Sequence, residues 1–416
     1  MAQVKIIVAG AGSRGAGYAG YALAKPELAK VVGVAEPRDF YRKEFAEKHA
    51  IPADNVFTDW VTMAARPKFA DAVIIATQDR MHSGPAAAFA KKGYHILLEK
   101  PMAPTEAECR SIVREAKKAG VIFAVCHVMR YTRYTRAVKK LVDSGAIGKV
   151  VSIQSLEQVG WWHQAHSFVR GNWRSEKTSS FMLLAKSCHD LDWIRHIMGR
   201  RCTQVSSFGS LFHFRKEQKP AGAGDRCLGC GIESACPYSA KRLYLGMASA
   251  GKWEWPLDII ATEHTVDAAT EALRTGPYGR CVYACDNDVV DHQVVIMEFE
   301  DGATADFTMT AFTPFGDRLT RIFGTHGALY GNGSKIEHHN FVTGGKEIID
   351  TEAADAGILG GHGGGDLGLM ESFVDAVARK EPKLVLSGPD ESLETHLMVF
   401  AAEQSRREDK PVKVKF

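Results

Sequence analysis

Over roughly the first 130 residues, short apolar runs alternate with amphipathic stretches. VKIIVA, VVGVAE, DAVIIAT, HILLEK and VIFAVCHV are short, continuously apolar and rich in β-branched residues, as buried strands are. Between them apolar residues recur at helical spacing through Tyr18 to Ala24, near Phe40 to His49 and near Ala86 to Lys92. Strands buried on both faces and separated by helices imply a doubly wound parallel sheet. From Lys149 the texture changes to longer runs, KVVSIQSLEQV, RCTQVSSFGSLFHFR and VVIMEFEDGATADFTMTAF, the last turned back at Asp301 and Gly302 as a hairpin. The pattern therefore predicts an α/β Rossmann domain over 1–130. An α+β domain with a large, mostly antiparallel sheet follows over 131–416, closed by two helices from Asp366 and a last strand in VKVKF. GGHGGGD, at 360–366, reads as a mobile loop on its composition.

A length of 416 residues fits two or three domains, and 45% hydrophobic residues suffice to bury their interiors. Fifty-two basic side chains against 49 acidic ones leave a formal +3, no electrostatic footprint for nucleic acid or a membrane surface. A small molecule is the expected partner. No apolar run reaches membrane-spanning length, and the strand beginning at Val4 leaves no room for a secretory signal, so a cytoplasmic protein is expected.

Gly10, Gly12 and Gly15 stand in G-x-G-x-x-G spacing directly after the first strand and before a helix. Such a loop, here Gly10, Gly12, Ser13, Arg14 and Gly15, lets a pyrophosphate sit against backbone amides at a helix N-terminus. Glu36 ends the second strand where a ribose-binding acid belongs, which favours NAD; Arg38, two residues on, leaves NADP open, since an arginine accommodates a 2′-phosphate. HILLEKPMAPTEAE places Glu99, Lys100 and Pro101 back to back at a strand end. In a doubly wound sheet ligands bind beyond such ends, so Glu99 and Lys100 are expected to face the cofactor crevice, with Pro101 stopping the strand.

Together, GAGSRG, AEP, DAVIIATQDRMHSGPAAAFAKKGYHILLEKPMAPTEAE and CHVMRYTRYTRAVKKLVDSGAIGKVVSI resemble the Gfo/Idh/MocA family of NAD(P)-dependent sugar and polyol oxidoreductases. VVDHQVVIMEFEDGATADFTM, IFGTHGALYGNG and HGGGDLGLMESFVDAV resemble its C-terminal sheet and closing helices. The resemblance implies that Lys100 contacts both nicotinamide and substrate, and that Thr77, Gln78 and His82 line the cofactor cleft. The family usually has proline at the position of Gln78. It also implies subunits paired through the C-terminal sheet as homodimers or homotetramers.

LLAKSCHDLDWIRHIMG predicts a helix from about Lys186, with Lys186, His189, Asp190 and Trp193 on one face. Clustered ionisable groups suit proton transfer. The family pattern D-x-x-x-H-x-x-D is met by His189 and Asp192 but not by Ala185, where the first aspartate would stand; the base is then Lys186 with a depressed pKa, or His189 alone. WWHQAHSFVRGNWR concentrates Trp161, Trp162, His163, His166, Arg170, Trp173 and Arg174, whose indole faces suit sugar rings and whose arginines suit anionic groups. His127, Arg130, Tyr131 and Tyr134, after the last Rossmann strand, are expected to border the same crevice.

Nine cysteines in a reducing compartment suggest thiols or metal ligands rather than disulfides. An insertion near 220–285 holds Cys227, Cys230 and Cys236, with Cys281 and Cys285 further on. This set suits a structural Zn²⁺ with Cys281 or Cys285 as fourth ligand. An iron–sulfur cluster fits less well, because the spacing departs from the ferredoxin run although Cys236 precedes proline. The expected activity is an NAD-dependent oxidoreductase acting on a carbohydrate hydroxyl. The alternative is a redox-neutral glycoside hydrolase that oxidises transiently, eliminates the leaving group, adds water and re-reduces.

Overall fold

The computed structural model describes residues 2–314, 316–352 and 361–416. The five apolar runs of the first half form β1 (Val4–Ala9), β2 (Ala29–Ala35), β4 (Ala72–Ile75), β5 (His95–Leu98) and β6 (Phe123–Val125), and a two-residue strand that no run announced, β3 (Val56–Phe57), joins them. They pair in parallel in the order β3-β2-β1-β4-β5-β6. The order reverses between β1 and β4, which opens a crevice beyond their C-terminal ends. Helices cover both faces, and Ile7, Val8, Ile74 and Leu97 are fully buried, hence the unbroken apolar runs.

The second half is a nine-stranded sheet made of β7 (Val150–Gln158), β8 (Cys202–Ser210), β9 (His292–Phe299), β10 (Thr304–Thr310), β11 (Arg318–Gly324), β12 (Gly327–Gly331), β13 (Lys335–Asn340), β14 (Lys346–Asp350) and β15 (Val412–Lys413). All its pairings are antiparallel except β7 with β10. Gly302 has φ +82° in the β9–β10 turn, as a hairpin glycine requires. One face of the sheet, with Ile153, Val205, Met297, Phe307 and Ile322, packs on Leu191, Ile194, Leu397 and Met398 of the helices Cys188–Met198 and Pro389–Glu408. Burying each such side chain contributes about 1.5–3 kcal/mol.

Two expectations change, and one helix of the second half packs on the first. The run from Cys202 stops pairing at Ser210, because the amides of Phe212 and His213 turn to the buried carboxylate of Asp291 (2.7–3.1 Å). The helix Gly365–Arg379 returns to the first sheet, where Leu369, Met370 and Phe373 share a core with Ile6, Val8 and Tyr18. Of GGHGGGD, residue 360 lies outside the described residues, 361–364 form a 3-10 turn and Gly365 opens that helix. A Cβ on Gly365 would stand 2.5 Å from the Val128 carbonyl, so this glycine serves a close backbone contact.

Candidate active site

The glycine loop has the room and the donors a dinucleotide needs. Gly10 adopts φ +95°, and a Cβ there would meet the Ala76 carbonyl oxygen at 2.4 Å; one on Gly15 would meet the Gly10 oxygen at 1.9 Å. The helix Ser13–Ala24 starts at Gly12 with neither a capping side chain nor an acid in its first turn, leaving its positive end to an anion. Glu36 is 2% exposed and accepts from the Ala11 amide (2.9 Å) and from Arg38 Nε (2.7 Å). Burial raises its pKa, but the Arg38 bonds outweigh that and leave it below the ordinary value. Arg38 thus lies against both the acid and the loop, with Nη2 3.3 Å from where a Gly12 Cβ would be. These residues fit an NAD-type cofactor.

Arg14 turns away from the loop, donating to Glu99 (2.8 Å) and Asp366 (2.7 and 3.1 Å). Glu99 therefore pairs with Arg14 and Tyr18 (2.9 Å) rather than with the Lys100 ammonium. Although burial raises the Glu99 pKa, the charges of Arg14 and Lys100 hold it below normal. His82 places one ring nitrogen 2.8 Å from the Pro101 carbonyl and the other 3.1 Å from that of Thr77. It braces the two loops against each other. Thr77 keeps a buried hydroxyl with no protein partner at the crevice, and Gln78 is exposed.

Lys100, freed from Glu99, crosses to the second half: its Nζ donates to the Ala185 carbonyl at 2.9 Å. The helix expected from Lys186 is in fact two, Met182–Ala185 and Cys188–Met198, with Lys186 in the break. The break withholds the Ala185 carbonyl from regular helical bonding, and Lys100 satisfies it. The lysine thereby abuts the turn that carries Lys186 and His189. His189 is 5% exposed and packs edge-to-face on His127, ring centroids 6.0 Å apart. His127 has no exposed surface, and both its nitrogens lack a hydrogen-bond partner; burial pushes its pKa down to about 3. It is a neutral imidazole beside His189.

Lys186 Nζ lies 3.0 Å from Glu157, and Arg318 bridges Glu157 (2.8 Å) and Asp190 (2.6 Å). Two buried carboxylates thus share two cations. Burial and the neighbouring Glu157 charge push Asp190 up to about 7, against the pull of Arg318. Glu157, with Arg318 and Lys186 both beside it, is held below normal despite burial. Trp193 leaves this face altogether, donating to Thr135 in the core (3.0 Å). Sequence reasoning missed Glu157 and Arg318, yet each falls in phase with the inward residues of its strand, Glu157 with Ile153 and Arg318 with Ile322, where a charge demands a partner.

Several expected substrate contacts are internal ties instead. Arg130 forks onto Asp192 (2.7 and 2.7 Å) and donates to the Leu386 carbonyl (2.6 Å); both charges are buried. The Tyr131 hydroxyl accepts the amides of Leu386 and Ser387 (2.9 and 3.0 Å). Tyr134 bonds Thr320. His166 meets the Tyr244 hydroxyl at 2.7 Å, Arg170 is spent on the carbonyls of Arg280 and Tyr238, and Arg174 pairs with Asp286 at 3.0 Å. Trp173 is 38% exposed against Phe168. Trp162 joins a cluster with His163 and Trp255, the last contributed by the insertion and 40% exposed. His163 is driven well below its ordinary pKa, first by burial and then by the charges of Lys186, His166 and Lys100. The zinc expectation is not met: among the described residues no three His, Cys, Asp or Glu side chains are arranged to hold a metal ion. Nor is any described helix long and apolar enough to cross a membrane.

Comparison with known proteins fits this architecture. The profile for the NAD-binding Rossmann fold of the Gfo/Idh/MocA oxidoreductase family matches residues 4–127, and that for its C-terminal alpha/beta domain matches 139–414. The chain belongs to this family of NAD-binding oxidoreductases. A putative oxidoreductase, YteT, from Bacillus subtilis is 25% identical over 82% of this chain and 80% of its own length. A 2,7-anhydro-N-acetylneuraminate hydratase from Mediterraneibacter gnavus is 32% identical, over 47% of this chain and half of that protein. Among solved structures, an oxidoreductase domain protein from Kribbella flavida superimposes with a TM-score of 0.73 at 19% identity, covering 100% of both chains.

Proposed function

We propose that the chain transfers hydride at a hydroxyl-bearing carbon of a sugar, sugar derivative or polyol, with NAD as the preferred cofactor and a cytoplasmic setting. The observation that carries this reading is the 2.9 Å bond from Lys100 to Ala185, which joins the cofactor side of the crevice to the turn bearing Lys186 and His189. Bound NAD supplies the hydride acceptor; the loop Gly10–Gly15, Glu36 and Thr77 are the residues that would hold it. Lys100 donates to the reacting oxygen, and His189 takes the hydroxyl proton. Lys186, tied to the Glu157 carboxylate, suits an orienting donor better than a base. Trp162 and Trp255 offer flat apolar faces to a sugar ring. Partial matches to proteins named levoglucosan dehydrogenase, myo-inositol 2-dehydrogenase and 1,5-anhydro-D-fructose reductase, at 27–29% identity, support the substrate class.

A redox-neutral elimination and hydration has one feature in its favour: Asp190, pushed up to about 7 by burial and the charge of Glu157, can give or take a proton beside His189. The hydratase relatives point the same way. A panel of sugars and glycosides, followed by nicotinamide absorbance and product analysis on the same samples, decides. NADH formed in step with an oxidised sugar supports the dehydrogenase. Aglycone release without net NADH, with solvent deuterium at the carbon next to the transiently oxidised one, supports the second reading. NAD binding without turnover of any carbohydrate overturns both.

A further inference from the structure

The insertion brings four thiols to one cavity. Cys227 and Cys230 flank one tight turn, Cys236 ends the next, and Cys281 follows the Arg226–Arg280 bridge that ties the ends of the insertion together. All four line one small cavity, partly open to solvent, and all are free. Cys285 is not on its wall; its Sγ turns to the Cys281 carbonyl at 3.2 Å.

Two donors already address the sulfurs. Arg170 Nη2 stands 3.5 Å from Cys227 Sγ, and the Gly224 amide 3.4 Å from Cys230 Sγ. Arg170 is 1% exposed, and among the described residues it forms an ion pair with no carboxylate. A buried cation facing cysteine sulfur and carbonyls but no carboxylate is costly, so the charge balance calls for an anionic occupant or thiolates beside it. A lone zinc ion would draw its sulfurs to about 2.3 Å from one point. Among the described residues no three side chains stand that way. A cluster of several iron and sulfide atoms takes the same four thiolates around a larger body, and amide and guanidinium N–H groups aimed at its sulfurs stabilise its negative charge. The separation of the fourth cysteine in sequence then matters little, because the bridge at Arg226 and Arg280 brings it to the cavity.

We propose that Cys227, Cys230, Cys236 and Cys281 hold an iron–sulfur cluster that pins the insertion to the turn ending in Arg170. Its role is structural: the insertion it pins also carries Trp255 to Trp162 and His163. The test uses the full-length chain, expressed with iron and isolated without oxygen. Iron and acid-labile sulfide should be found in equal amounts, about two to four of each per chain, with a broad visible absorption band. Cys236→Ser and Cys281→Ser should each lower both contents at least about tenfold, whereas Cys285→Ser and Cys202→Ser keep them. Stoichiometric zinc without sulfide, a chain that stays metal-free after reconstitution with ferrous iron and sulfide, or loading lost with Cys285→Ser but kept with Cys281→Ser, each overturns the proposal. Should the cysteine variants fail to fold, the metal and sulfide content of the unaltered chain decides alone, and none of these results depends on which carbohydrate the chain turns over.

Discussion

At the residue scale the site divides into groups that touch the reacting atoms and groups that hold them. On the proposed mechanism Lys100 and His189 belong to the first, so His189→Gln and Lys100→Met are each expected to cost about 10²–10⁴-fold in kcat, with folding intact by far-UV circular dichroism. Asp190 belongs to the second. Its folded-state pKa near 7 lies above the ordinary carboxylate value, so the folded state holds a proton that the unfolded chain has already released. That contribution to stability is complete below the unfolded pKa of about 4 and declines as pH rises through about 7. Asp190→Asn removes the titration. Denaturation midpoints of the variant should then vary less between about pH 5 and about pH 8 than those of the unaltered chain; an unchanged slope would place the proton elsewhere.

At the scale of elements, the junction between halves rests on a buried ion pair. Arg130 follows the last Rossmann strand and Asp192 lies on the helix Cys188–Met198, so their fork sets the distance between His127 and His189. Removing one partner strands a buried charge: Arg130→Ala or Asp192→Ala should each lose about 3–5 kcal/mol in urea denaturation, while replacing both by apolar residues of similar volume recovers most of it. This junction marks where the sequence stopped being legible. The strands, the glycine loop and the E-K-P turn were readable because each is local, fixed by a run or a spacing of a few residues. That Lys100 reaches Ala185, and that Arg318 serves both Glu157 and Asp190, depends on contacts over 85, 161 and 128 positions, which periodicity does not carry. Arg130 and Arg170 were expected at the substrate because arginine binds anions; the anion and carbonyls they found were the protein's own.

At the scale of the whole molecule, the helix Gly365–Arg379 reinforces the Rossmann core from the far end of the chain, and among the described residues helices cover one face of the nine-stranded sheet. Its outer side exposes Phe208, Ile296, Leu319, Tyr330 and Ile348. Scattered apolar residues are ordinary, but a row of them across five strands suits a second copy of the sheet. Sedimentation velocity is expected to show a dimer or tetramer, and Ile296→Lys to shift it toward monomer; a monomeric parent chain at micromolar concentration would remove that expectation.

The proposed hydride transfer requires one convergence, Lys100 and His189 at a single nicotinamide. The structure of the full chain crystallised with NAD and a bound polyol tests it directly. The prediction is that C4 of the ring faces a pocket in which the Lys100 ammonium and the His189 imidazole both lie within hydrogen-bond reach of one substrate hydroxyl. A ring bound with His189 walled off from that hydroxyl would contradict it.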